Sequence, residues 1–168
     1  LILSRPLGTG ILLAAEMAGR ARGADILELW DLMATPQGDA AEILAETARA
    51  MTDVTGFGLA GHLWDICAGS DVAAVLQQTD LPALSGADDL ITTGIRSSLD
   101  PANRASFAPH LQGGTDGTLL FDPQTAGGFL AALPDSAAED ALARLHAAGH
   151  RAARIGQIVA GPPRIEVR

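Results

Sequence analysis

The spacing of hydrophobic positions changes several times along the 168-residue chain. LILSRP (1–6) is a short apolar run stopped by proline, which reads as a strand. Gly8-Thr9-Gly10 then opens a helix over ILLAAEMAGRA. Residues 24–34 (ADILELWDLMA) predict a second helix, ended by the Thr35-Pro36 break. A third runs from Asp39 to Arg49, with Ile43, Leu44 and Thr47 at helical spacing. Ala50-Met51-Thr52 reads as a short strand. Leu59, Leu63 and Ile66, with Ala60 and Cys67, predict a helix from Gly58 to about Gly69.

The second half is less regular. DVAAVLQQ (71–78) predicts a strand. Residues 83–117 are polar and rich in Gly and Ser, with one short helix expected near Asp88–Thr93. TLLFDP (118–123) and GGFLAALP (127–134) read as strands flanking a turn. Asp135 or Ser136 caps a helix to about Ala148, with Ala138, Leu142 and Leu145 on one face and Gly149 as its stop. ARIGQIV and RIEVR read as closing strands. The mixture lacks strict βαβ alternation, so the class is α+β, a three-layer α/β/α sandwich around a mixed sheet. Residues 1–168 form a single domain. The start at Leu1, inside an apolar run, reads as a cut within a longer protein.

Composition narrows the functions available. Hydrophobic residues make up 48% of the chain and charged residues 18%, as in a globular domain. Aromatics are only 4%, so the core must be aliphatic. The net charge of −9 opposes binding to nucleic-acid phosphates or anionic lipid. All 11 bases are Arg; with no Lys there is neither a P-loop signature nor a lysine nucleophile. The single cysteine, Cys67, excludes an internal disulfide, suits a cytoplasmic location and reads as a buried small hydrophobe. No apolar run reaches the ~20 residues of a membrane span.

Three segments share one plan of a strand-like lead and a small-residue turn: RPLGTG (5–10), TDVTGFG (52–58) and DPQTAGG (122–128). Helices follow the first two. A helix N-terminus carries unpaired N–H groups and partial positive charge, so it attracts anions, and glycine permits close approach. Gly8, Thr9, Gly10, Thr52, Thr55, Gly56 and Gly58 are therefore candidate cofactor contacts. Asp53 and Asp122 stand at the turns. An acid beside bound phosphate requires a cation between them, for which Mg²⁺ is suited. On spacing alone, turn capping explains both acids better. The histidines do not cluster, which argues against zinc. His62 reads as a helix histidine bonded to backbone or a nearby loop, and His110, His146 and His150 as solvated. Trp30 and Trp64 read as core or interface anchors, and Arg5 as an exposed base.

LSRPLGTGIL (3–12), MTDVTGFGLAGHL (51–63), FDPQTAGGFL (121–130) and IGQIV (155–159) together resemble the C-terminal half of the selenide, water dikinase (selenophosphate synthetase) family. That family lies within the aminoimidazole ribonucleotide synthetase superfamily. The resemblance covers nearly the whole chain. It implies the superfamily's C-terminal-domain fold, partly ferredoxin-like in topology, and a missing N-terminal ATP-binding domain. The implied reaction converts selenide, ATP and water to selenophosphate, AMP and phosphate, with Mg²⁺ bridging the triphosphate to several aspartates. The C-terminal member of that set maps to Asp53. The reactive Cys or selenocysteine and the essential Lys belong to the N-terminal half, so no catalytic residue is expected here and the domain alone is expected to be inactive. The full-length protein is expected to be a homodimer. TTGIRSSLDPANRA (92–105) departs from the family's commoner Gly-Gly…Arg-Asn segment, with Asn displaced to Asn103, so a ligand contact from that segment is in doubt. Two alternatives remain open: another superfamily enzyme (aminoimidazole ribonucleotide synthetase, thiamine monophosphate kinase or the hydrogenase-maturation type), or a non-catalytic assembly module.

Overall fold

The computed structural model describes residues 1–114 and 118–168. Its strands form two four-stranded sheets. The first has the order β2 (Ala50–Asp53), β5 (Phe129–Ala132), β1 (Ile2–Leu3), β6 (Ala153–Arg154), antiparallel throughout. The second has the order β4 (Leu111–Gly113), β8 (Arg164–Val167), β3 (Ala73–Leu76), β7 (Gly156–Val159). There β8 runs parallel to both β4 and β3, and β7 antiparallel to β3. The expected mixed sheet is this second one. Only Ile155, fully buried, separates β6 from β7, so one stretch of chain passes from sheet to sheet.

Period-two alternation sorts the first sheet's residues between two cores. Leu3 and Leu130 face a large aliphatic core shared with α4 (Gly58–Ser70) and the second sheet. Their neighbours Ile2 and Ala131 face α3 (Gly38–Ala45) and α8 (Asp135–Ala147), through Leu44, Ala138, Ala141 and Leu145. This sheet is thus the middle of three layers. Leu59, Leu63, Ile66 and Cys67 form the buried face of α4, as their spacing predicts. Burial pushes the Cys67 thiol up to about 11, which keeps it a neutral packing group. A third cluster joins Leu12 of α1 (Thr9–Met17) to Ile26 and Leu29 of α2 (Gly23–Ala34).

The structure corrects several expectations. TLLF, expected as a strand, is one helical turn, α7 (Thr118–Phe121). β5 already has β1 and β2 on its two edges, so no ladder position beside it is open. Leu120 and Phe121 bury completely by packing against α4 and α6 instead. The polar region, where one helix was expected, holds α5 (Ala87–Thr92), α6 (Asp100–Phe107) and β4, while residues 115–117 lie outside the described set. The third helix ends at Ala45 rather than Arg49. Pro134, not Asp135 or Ser136, occupies the α8 cap position, and Asp135 pairs with Arg154 at 2.7 Å. Of the remaining histidines, His146 is exposed, as expected, with Nε2 2.8 Å from Ala152 O, whereas half-buried His110 stacks on Trp64 at 3.7 Å and buried His150 meets Asp39 at 2.9 Å. Trp64 packs against the main core and Trp30 is exposed.

Candidate functional site

The three turns come together, and the third holds the other two. The DPQTAGG turn lies between RPLGTG and TDVTGFG. On one side, Val54 N–H donates to Gly128 O at 2.9 Å and Gln124 N–H donates to Thr55 O at 2.9 Å. A Cβ at Gly127 would lie 2.0 Å from Val54 O, so only glycine allows that approach. On the other side, the Gln124 carboxamide oxygen accepts from the Gly8 and Thr9 N–H groups at 3.2 and 3.3 Å and from the Thr9 hydroxyl at 3.2 Å. Asp122 Oδ2 accepts from Gly10 N–H at 3.1 Å. Thr9 Oγ1 in turn accepts from Thr125 N–H at 2.8 Å.

This arrangement corrects the expected role of Gly8, Thr9 and Gly10. All three are buried, and the amide groups expected to meet a ligand point into the protein's own carboxylate and carboxamide. Asp122 and Gln124 therefore occupy the anion position at the α1 N-terminus. Asp122 is fully buried, and its Oδ1 has no hydrogen-bond partner among the described residues. Desolvation raises its pKa to about 7, against the opposing bonds from Gln124 and the α1 amides. Capping, the reading that spacing favoured for Asp122, is what the structure contains.

The second turn is built differently. Asp53 ends β2, paired in register with Phe129, and its side chain is exposed. No hydrogen bond or ion pair engages its carboxylate among the described residues. Thr52 is half-buried, and its hydroxyl donates to Asp53 O at 3.2 Å. Beyond Asp53 the backbone is held tightly. Thr55 N–H donates to His62 Nε2 at 3.0 Å, and Thr55 Oγ1 lies 3.2 Å from the same nitrogen. His62 is buried on α4, and desolvation lowers its pKa, so the neutral ring that can accept this bond is favoured. Gly58 adopts φ +69° and donates its N–H to Thr55 O at 3.0 Å, which turns the chain into α4. Its amide is used internally, and Gly58 is buried. Gly56 is half-buried beside open space. Its carbonyl accepts from Asn103 Nδ2 at 2.8 Å, and the same amide donates to Phe121 O at 3.0 Å.

Gln124, Asn103 and Arg5 carry much of this geometry, and the sequence did not single them out for it. Arg5, expected to be exposed, is 2% exposed. It donates to Ala126 O at 3.1 Å and to Thr35 O, bracing the third turn from behind. A buried arginine that binds carbonyls has no signature in its neighbours. Asn103 lies in the divergent 92–105 segment, where it holds the protein's own backbone.

A family profile for the C-terminal domain of AIR synthase related proteins matches residues 1–168. The chain belongs to this AIR synthase related family. Curated relatives carry the name selenide, water dikinase. That from Burkholderia ambifaria is 35% identical over 175 residues, covering 99% of this chain and 49% of the relative. That from Yersinia pseudotuberculosis is 40% identical over 172 residues, covering 98% and 48%. The chain thus spans about half the length of the curated relatives it matches. Among solved structures, Escherichia coli HypE, a hydrogenase maturation protein, superposes with a TM-score of 0.69 at 18% identity, covering 99% of this chain and 44% of that one. Thiamine-monophosphate kinase from Stenotrophomonas maltophilia gives 0.68 at 24% identity, covering 99% and 48%. These structural likenesses show a shared fold, and the family profile gives it as the AIR synthase related C-terminal domain.

Within that fold, Asp53 suits one position in a hard-cation shell. It is an oxygen donor, exposed, with no competing partner among the described residues. No group of three His, Cys, Asp or Glu residues able to hold a metal occurs among the described residues, so further ligands would have to come from elsewhere.

Proposed function

We propose that this chain is the C-terminal half of a selenophosphate synthetase. In this reading the longer polypeptide converts selenide, ATP and water to selenophosphate, AMP and phosphate at a site shared with an N-terminal ATP-binding domain. The observation that carries the reading is the contrast at the second turn: a rigidly bonded backbone presenting one exposed acid, Asp53, whose carboxylate has no hydrogen bond or ion pair among the described residues. The family match and the name of the curated relatives support it.

Each residue has a defined task. Asp53 supplies one carboxylate to Mg²⁺ from the C-terminal side. Magnesium, when bound, offsets triphosphate charge and orients the transferring phosphoryl group. Thr55, through His62, and Gly56, through Asn103, fix the backbone that presents Asp53. Thr52, Thr55 and Gly56, none of them fully buried, remain the candidates for nucleotide contact. Gly8, Thr9, Gly10 and Gly58 shape the support beneath them. A carboxylate fixed in advance costs little reorganisation when charge develops nearby.

The test uses the full-length polypeptide. It should form AMP only when selenide is present, and Asp53→Ala should lower turnover at least 100-fold while leaving the unfolding midpoint unchanged. Selenide-independent AMP formation, or normal magnesium dependence in the Asp53→Ala protein, would overturn the assignment.

A further inference from the structure

A cavity of about 630 Å³ opens on the far end of the first sheet from the β2–turn site. Leu1, Ile2, Ile66, Val72, Gln157 and Ile158 give it its apolar wall and part of its rim. It lies where β1 points in the upstream direction. We infer that it accepts an extended strand: the polypeptide preceding Leu1 in the longer protein, running antiparallel to β7. The inference rests on the reading of this chain as half of such a protein.

Three observations place the strand. First, β7 is an edge strand, since among the described residues the second sheet ends there. Second, its outward groups can be identified. Gln77 N–H donates to Ile155 O at 3.0 Å, in the same register that pairs Val75 with Gln157 and Ala73 with Val159. Antiparallel bonding alternates, so Gly156 and Ile158 turn their backbone groups away from β3. Third, β1 already begins to use that edge. Ile155 N–H donates to Leu1 O at 3.0 Å, and the Leu1 nitrogen donates to Gly156 O at 2.8 Å. Continuing β1 upstream by two residues brings its backbone beside Ile158, the next outward pair.

The other side of the cavity is suited to the same guest. Leu1 precedes Ile2, which is paired antiparallel with Ala131, so residues upstream of Leu1 would pass Leu133 and Pro134. Proline has no N–H and ends the ladder on that side. A strand entering here would bond β7 through its backbone and turn alternate side chains onto Ile66 and Val72. The added strand would join the two sheets along a common edge. It would also cover an exposed edge of the kind that proteins otherwise blunt or bury.

The experiment is amide exchange on the full-length polypeptide, followed at single residues. Ile158 N–H should exchange as slowly as Gln157 N–H, within about tenfold. Exchange at Ile158 at least 100-fold faster than at Gln157, as for an unpaired edge amide, would overturn the inference. Ile158→Pro removes the outward N–H, while Ile158→Val keeps it and trims the side chain. The proline variant should lower the unfolding midpoint well below that of the valine variant; equal midpoints would also count against the strand. Neither readout involves catalysis, so a failure of selenide-dependent AMP formation would leave this comparison intact.

Discussion

The turn at 8–10 and the turn at 53–58 start from the same local design and end in opposite states. Each follows a strand, contains glycines and opens a helix. At the first, Asp122 and Gln124 cover the helix N-terminus, and every residue of the Gly-Thr-Gly triplet is buried. At the second, the acid belongs to the turn itself and faces outward. A glycine turn before a helix therefore does not specify an open anion site. What packs over it decides, and here both outcomes depend on a single third loop.

The sharpest break of this comparison exchanges glycine for alanine. A Cβ at Gly10 would lie 2.5 Å from Pro123 O and 2.6 Å from Asp122 Oδ1, atoms fixed by backbone and burial. Gly10→Ala should cost about 3 kcal/mol through overpacking, lowering the midpoint by roughly 10 °C in a chain of this size. A Cβ at Gly56 meets nothing within 4 Å. Gly56→Ala should stay within about 0.5 kcal/mol of the parent. Urea unfolding of both variants measures the contrast. Equal costs would mean that the first turn is not plugged.

A second break of the comparison is a pH dependence from Asp122. Its folded-state pKa of about 7 lies above that of an unfolded aspartate, near ~3.9. Across that interval the folded chain binds more protons, so this group's stabilisation is full below pH ~4 and is lost as pH rises through about 7. The amplitude is on the order of 4 kcal/mol at most. Asp122→Asn keeps the shape of the side chain and removes the titration. The difference in unfolding free energy between the two proteins should change between pH 5 and 8. A pH-independent difference would show that the buried carboxyl does not titrate in this range.

What the sequence disclosed follows from the range over which each feature acts. The α4 helix and the Asp53 turn were legible because their determinants are local: a long apolar period after two glycines. TLLF was not, since four consecutive apolar residues fit a strand or one helical turn equally well. The edges of β5, already taken by β1 and β2, settle the matter from elsewhere in the chain. The plug over Gly8–Gly10 was hidden for the same reason. Gln124 and Asp122 reach it from more than 100 residues away, with separations of 116 and 112. Arg5 and His150 looked like surface residues because nothing beside them in sequence indicates carbonyl or carboxylate partners brought by folding. Asp53 stands apart: its position at the turn was legible, and its side chain is exposed.

The smallest expected effect tests how the second turn is held. His62 Nε2 can accept from Thr55 N–H only when that nitrogen carries no proton. Burial lowers its pKa below the usual histidine value. For a group depressed in this direction, the stabilisation is present above the unfolded value, near ~6.5, and fades as pH falls through the folded one. The two turns should therefore respond to pH with opposite signs: acid strengthens the Asp122 plug and weakens the His62 tie. His62→Ala should cost about 1–2 kcal/mol, the scale of a lost acceptor that leaves a donor unpaired. More specifically, it should speed amide exchange at Thr55 while leaving Gly10, held by Asp122, unchanged. If Gly10 and Thr55 loosened together, the third loop would be acting as one rigid unit across both turns, and the independence of the two would have to be given up.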